Sequence, residues 1–134
     1  MCYTNQMVPI NIYDKDSGSP ELHLIDAISG KWTVLIIYML SEKTMRHSEL
    51  QRAVGGISQK VLTQSLRNLE RNGIVRRKVY PVVPPQVEYS LTPLGKTAVK
   101  TLSELCMWAK DHYAEAETAR KQYDTHLPAS QLIK

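Results

Sequence analysis

The chain has 134 residues, a formal net charge of +4 and a pI of about 9.1, which predicts one domain with short extensions and a substantial core. No apolar run reaches the ~18 residues of a membrane span, and the N-terminus lacks the charged-then-apolar pattern of a signal peptide. Cys2 and Cys106 are too few for a disulfide scaffold, so we expect a cytoplasmic protein.

Positive charge is concentrated in the middle of the chain. Residues 46–80 carry eight Lys or Arg against two acids, a net charge of +6, whereas the rest carries nine against eleven, a net charge of −2. This distribution indicates a polyanionic partner for the central segment.

The first third of the chain predicts helices around one ambiguous apolar run. Residues 1–19 are polar and weakly patterned, and we expect them to be flexible. Pro20 can open a helix over 20–29 with a broad apolar face. Residues 32–40 are almost wholly apolar; their β-branched content favours a strand, and the surrounding helices favour a helix.

Two short helices are predicted in the basic segment. Ser48 and Gln51 match the reciprocal capping pattern, and Gly55-Gly56 would end that helix. Ser58 can cap a second helix, which carries an apolar stripe at helical spacing. This arrangement is that of a helix-turn-helix, although ordinary helical hairpins share it.

The face opposite that stripe is polar and cationic. Mixed donors, acceptors and positive charge suit base edges flanked by phosphates, but a solvated face is the default for a surface helix. The residues on this face are Lys60, Thr63, Gln64, Arg67 and Arg71.

Alternating apolar residues then predict two strands, 74–80 and 87–91, joined by a stiff proline-containing loop. Three consecutive cations, Arg76 to Lys78, load the first strand. Such a hairpin is usually just solvated. Directly after a helix-turn-helix it is instead a wing, which would lie along the phosphate backbone or enter the minor groove.

A last helix is predicted from Pro93 to about Gln122, followed by a tail over 125–134. Its apolar sector spans nearly half the circumference, and at ~45 Å it would be longer than the domain that covers it. We therefore expect a second copy of the chain to cover it through a two-fold contact. The alternative is a helix packed wholly inside its own domain.

Many short motifs resemble those of the HxlR family of bacterial winged-helix regulators, relatives of the MarR group. The similarity covers roughly residues 19–112, and its motifs are Ile28–Thr33, Ser48–Leu50, Gly56–Leu62, Leu66–Glu70, Val79–Pro81, Val83–Pro85 and Val87–Gly95. The resemblance implies a mostly α fold with a small β-hairpin, in which residues 32–40 form a buried helix. It places a winged helix-turn-helix domain at 20–124, with dimerisation helices at 20–29 and 93–122.

The resemblance also implies that a homodimer binds a pseudo-palindromic operator in double-stranded DNA. The implied DNA-binding residues are Gln59, Lys60, Thr63, Gln64 and Arg67 near the bases, Arg46 and Ser58 on phosphates, and Arg77 and Lys78 on the wing, with Arg71 on the same helix face. The implied dimerisation residues are Leu22, Ile25, Leu102, Leu105, Cys106, Ala109 and Tyr113.

The sequence departs from the family pattern at the wing tip, at a packing position and at a sensing position. Val82 and Gln86 stand where relatives commonly have an acid and an arginine, which puts a phosphate contact at the tip in doubt. His47 replaces a usual phenylalanine, so we expect it to pack. Ser19 stands where several members carry a sensing cysteine, so thiol sensing there is lost.

The sequence gives little support for a sensing role of the two cysteines or for a function other than DNA binding. We interpret Cys106 as a small core residue, and Cys2 as a thiol with nothing nearby to activate it. The four histidines show no short ligand spacing, and Gly55-Gly56 lacks the rest of a nucleotide loop, so we expect no enzyme, metal or cofactor site. The rival to a DNA-binding regulator is a winged-helix module that binds protein. A cavity between the last and second helices could accept an unknown small apolar effector.

Overall fold

The computed structural model describes residues 20–126. The elements in chain order are α1 (Pro20–Ser29), α2 (Lys31–Glu42), β1 (Met45–Arg46), α3 (His47–Val54), α4 (Gln59–Arg71), β2 (Val75–Tyr80), β3 (Gln86–Leu91) and α5 (Pro93–His126). The boundary between two compact units falls after Val99, within α5. The expectations for 1–19, including Cys2 and Ser19, and for 127–134 of the tail lie outside the described residues.

The ambiguous apolar run is a helix. α2 buries Ile36, Ile37 and Leu40, and it contacts α1, α3, α4 and β3. Contacts on several sides explain why the run is apolar almost throughout. They also explain why the spacing of its apolar residues could not distinguish a helix from a strand.

The first helix of the pair begins two residues earlier than the predicted capping pattern requires. Arg46 is its N-cap, and the Arg46 N–H donates to Glu49 Oε1 at 2.8 Å. The predicted pairing of Ser48 with Gln51 is therefore wrong. Gln51 instead donates from Nε2 to the carbonyl oxygen of buried Ile57, at 3.3 Å, and so ties the end of α3 to the turn.

The turn between α3 and α4 forms as predicted. Gly55 and Gly56 have φ values of 72° and 75°, a left-handed conformation that glycine adopts without steric cost. Ser58 Oγ accepts a hydrogen bond from the Val61 N–H at 3.1 Å, which caps α4. Buried Leu62, Leu66 and Leu69 anchor α4 to the core.

A three-stranded antiparallel sheet follows, with order β1-β3-β2. The hairpin strands match prediction to within a residue, with Val75 paired to Leu91 and Tyr80 to Gln86. The two-residue strand β1, which pairs with β3, was not predicted. It joins the start of α3 directly to the hairpin.

The start of α5 closely approaches the chain between α4 and β2. The Gly95 N–H donates to Thr92 Oγ1 at 3.0 Å, and that hydroxyl donates to the Gly73 carbonyl oxygen at 2.5 Å. A Cβ built on Gly95 would lie 2.2 Å from the Ile74 carbonyl oxygen. Only glycine permits this approach, because no other residue lacks a Cβ.

α5 is a 34-residue helix that ends at His126, four residues beyond the predicted end. From Ser103 to Ala116 its residues are exposed in the single chain. Over residues 20–126 no single helix is long and apolar enough to cross a membrane. α1 and α2 reach the necessary length and apolar composition only when they are counted together, and the two helices are bent by 71° relative to each other.

Candidate nucleic-acid interface

The outward side of α4 carries a compact cationic and polar surface. At about 100° per residue, four exposed side chains fall within an arc of roughly 60°, opposite the buried leucines. We call this surface the polar arc, and its members are Lys60, Gln64, Arg67 and Arg71. Three of the four are cations, and the arc faces solvent along the length of a rigid, capped helix.

The remaining predicted residues of α4 lie beside the polar arc. Thr63 is half-buried, and its Oγ1 lies 3.1 Å from His47 Nε2 at the start of α3. This contact fits the expected packing role of His47 and links the two helices. Gln59 and Ser58 are exposed at the N-terminus of α4, where the first N–H groups of a helix favour anions.

The strand register divides the predicted wing cations between two faces of the sheet. Arg77 pairs with Tyr89, which pairs in turn with buried Met45. Directly opposed residues share a face, so Arg77 lies on the face that includes the core residue Met45. Lys78 pairs with Glu88 and lies on the other face.

Arg77 is directed toward α4. Its Nε lies 3.7 Å from Glu70 Oε1, with both side chains a little less than half exposed. Burial raises the pKa of Tyr89, the charge of Glu70 acts in the same direction, and Arg77 and Arg67 oppose it. Tyr89 therefore stays neutral at physiological pH among the charged groups that join the hairpin to α4.

The outer face of the sheet has its own charge pattern. Glu88 on the central strand pairs with Arg46 on one side and Lys78 on the other, and accepts a hydrogen bond from Tyr80 Oη at 2.9 Å. The Lys78 ammonium lies 4.8 Å from the centroid of the Tyr80 ring. The Tyr80 ring therefore holds the Lys78 ammonium on the outer face of the hairpin.

Arg76 was not among the predicted site residues. It lies two residues from Lys78, on the same outer face, and is exposed. The period-two alternation of a strand was enough to place Arg76 with Lys78 and to separate Arg77 from them.

Arg46 combines a structural and an electrostatic role at the start of α3. Its N–H bond to Glu49 is the largest cause of the lowered pKa of that carboxyl, and the charges of Arg46, Lys43 and Arg52 act in the same direction. Arg46 is exposed, so its side chain is available to an anion at the start of α3.

The predicted dimerisation residues are exposed in the single chain, with one exception. Leu22 and Ile25 on α1 are 39% and 47% exposed, and Leu105 and Tyr113 on α5 exceed half. Leu102 is buried. Ala109 and Cys106 are exposed, so the interpretation of Cys106 as a core residue is wrong for the isolated chain.

A cavity of about 380 Å³ lies where the second helix approaches the start of the last one. Leu40, Leu91 and Val99 supply apolar lining, and Lys43 and Lys96 lie among its polar groups. Among residues 20–126 no group of three or more His, Cys, Asp or Glu could hold a metal ion.

Comparison with known proteins identifies the family. The model of the HxlR-like helix-turn-helix family matches residues 27–117. The chain belongs to this family. The match contains both helices of the helix-turn-helix, the hairpin and most of α5, and HxlR-like proteins are helix-turn-helix transcriptional regulators.

Relatives agree with that assignment. The HTH-type transcriptional regulator YkvN of Bacillus subtilis (strain 168) is 47% identical over 103 residues, which cover 77% of this chain and 86% of that protein. The solved structure of the transcriptional regulator YtfH from Salmonella typhimurium has a TM-score of 0.69 and 40% identity, and the match covers 76% of this chain and 91% of that one. The redox regulator HypR in its reduced form has a TM-score of 0.69 and 38% identity, covering 75% and 99%. The fold is that of winged-helix transcriptional regulators.

Proposed function

We propose that this HxlR-like regulator binds a pseudo-palindromic operator as a homodimer, with α4 of each subunit in the major groove. The observation that carries the proposal is the polar arc on α4. It is exposed, predominantly cationic, opposite a fully buried leucine stripe, and next to a basic hairpin. An α-helix of this kind matches the width and charge of the major groove of duplex DNA.

Within the polar arc, Arg67 and Gln64 are suited to base edges. Arginine pairs in bidentate fashion with guanine, and glutamine with adenine. Gln59, Lys60, Thr63 and Arg71 complete the proposed contact surface of the helix, and Thr63 would contribute only from its edge because its hydroxyl already faces His47.

Phosphate contacts would surround this helix. Ser58 retains a hydroxyl proton after it caps α4, and Arg46 and Lys78 are held on one sheet face. Arg77 is drawn toward Glu70, whose carboxylate offsets part of its charge, so we assign it a weaker phosphate contact than Lys78. Such contacts set orientation and register rather than sequence preference.

The proposed dimer uses the exposed apolar side chains of α1 and α5. Leu22 and Ile25 on the first helix and Leu105 and Tyr113 on the last one are exposed to water in the single chain. A two-fold contact would bury them and give each operator half-site one copy of α4. DNA binding places the proposed action in the cytoplasm.

Effector control is assigned to the cavity rather than to a thiol at position 19. HypR is a redox regulator, but this chain has Ser19 at the expected sensing position, and serine forms no thiolate. A small molecule in the 380 Å³ cavity would contact α2, β3 and α5.

Binding of the wild-type protein to operator and random duplexes across a salt series tests the proposed function. The operator is selected from a random-sequence pool, and affinity is measured by fluorescence anisotropy. We expect a steep loss of affinity with rising salt. Equal affinity for both duplexes, or no binding to either, would contradict the proposal and favour a protein-binding module.

Arg67→Ala and Lys78→Ala separate base contacts from phosphate contacts. Arg67→Ala should reduce the preference for operator by about 5- to 150-fold, because a base contact is lost. Lys78→Ala should weaken binding to both duplexes alike and lower the salt slope by about 1 per contact. Equal losses on operator and random DNA for Arg67→Ala would refute its assignment to a base.

A further inference from the structure

The tip of the hairpin has a different chemistry from the strands that carry it. Val83 is 99% exposed and Val82 is 46% exposed. No charged residue occurs between Val79 and Val87, whereas β2 carries three consecutive cations. The tip therefore cannot bind DNA through an ionic contact of its own.

The tip is held in place by its own backbone. Strand pairing continues to Tyr80 and Gln86, and the Val82 N–H donates to the Tyr80 carbonyl oxygen at 2.8 Å. Prolines at 81, 84 and 85 each fix one backbone dihedral. Val83 is thus presented at the end of a stiff hairpin and loses little freedom when it binds.

We propose that Val83 of each subunit enters the minor groove beside its half-site and selects A·T over G·C pairs there. This inference rests on the proposed function and adds a specificity-determining residue to it. The polar arc would contact the major groove, while Val83 would contact the floor and walls of the adjacent minor groove.

The chemistry of the minor groove supplies the selection. A G·C pair adds the guanine N2 amino group, a donor that projects from the groove floor, whereas A·T pairs present only acceptors. An isopropyl group clashes with that amine and cannot accept its hydrogen bond, so the covered donor remains unpaired. A·T tracts also narrow the groove, which brings the deoxyribose walls against an apolar side chain.

DNA is a better occupant for this tip than a protein surface. The tip continues a hairpin whose cations, Arg76 and Lys78, lie on one exposed face, and their charge complements phosphate on either side of a groove. Two valines expose far less area than the ~800 Å² per partner that a stable protein interface buries.

The test compares three operators that differ only at the minor-groove positions protected by the tip, located by hydroxyl-radical footprinting. These positions carry A·T, G·C or inosine·C pairs, because inosine lacks the amino group but keeps the major-groove pattern of guanine. We expect wild-type protein to bind the A·T and inosine operators equally and the G·C operator at least about fivefold more weakly.

Val83→Ala should abolish this discrimination without changing the salt slope, since no phosphate contact is removed. The matched control is Val79→Ala, a second partly exposed valine of the same hairpin, which should keep the wild-type preference. The inference would be overturned if wild-type protein bound the inosine operator as weakly as the G·C operator, or if Val83→Ala still preferred the A·T operator to the G·C operator. Those results would leave the proposed function intact if wild-type protein still prefers operator to random DNA, and unchanged binding of Val83→Ala to all three operators would point to a protein contact instead.

Discussion

At the residue scale, the pairing of Arg77 with Glu70 has two consequences for DNA binding. It turns one cation of the hairpin toward α4, and it places a carboxylate at the edge of the polar arc. A half-exposed pair of this kind contributes at most about 1 kcal/mol to stability. In the proposed DNA complex, its larger effect would be to draw the positive charge of Arg77 away from phosphate.

Glu70→Gln should therefore raise the affinity for random DNA. The change releases Arg77 to a phosphate and removes a repulsive charge, so the salt slope should increase by about 0.9. Anisotropy measurements on a random duplex across a salt series check this. Glu42→Gln, which removes the same charge from the last turn of α2, is the control. If both variants changed the affinity for random DNA equally, the Arg77–Glu70 ion pair would have no specific effect on DNA binding.

The residues of the polar arc were predictable, because helical spacing alone separates them from the buried leucines. The orientation of Arg77 was not predicted, because three consecutive cations look equivalent when only charge is counted. Strand alternation places Arg76 and Lys78 on one face and Arg77 on the other. The Glu70 contact then follows from the packing of α4 on β2, which no local pattern reveals.

At the element scale, turn chemistry predicted the boundary between α3 and α4, capping predicted the start of α4 but not that of α3, and tertiary contacts decided the rest. Ser58 and the two glycines identified the turn before α4. The apolar run of α2 carried no usable period because it contacts several elements. A two-residue strand such as β1 has no sequence signal, since its structure comes from its pairing with β3.

Gly95→Ala tests the close approach of α5 to the α4–β2 connection. In an open helix this change stabilises by up to ~1 kcal/mol, but here the added Cβ meets the Ile74 carbonyl oxygen. We expect a loss of roughly 1–3 kcal/mol in the free energy of unfolding, measured by urea denaturation. Lys96→Ala, at the adjacent exposed position, should change stability little; a neutral or stabilising Gly95→Ala would mean that the two segments separate easily.

At the scale of the whole molecule, the exposed apolar side chains of α5 support the proposed homodimer. Leu105→Glu should give a monomer by light scattering and lose operator binding, because a charge would be buried between two copies. Ser103→Glu adds the same charge two residues earlier, about 160° away around the helix, and should remain dimeric. Equal behaviour of the two variants would rule out this face as the interface.

The most direct measurement is operator binding as the spacing between half-sites changes. The selected operator should contain two symmetric protected regions about one helical turn, ~34 Å, apart. Insertion of half a turn between them should abolish high-affinity binding, because it rotates one half-site to the opposite side of the duplex. A single protected region, or affinity that does not change with the insertion, would contradict a dimer that presents two copies of α4 to one operator.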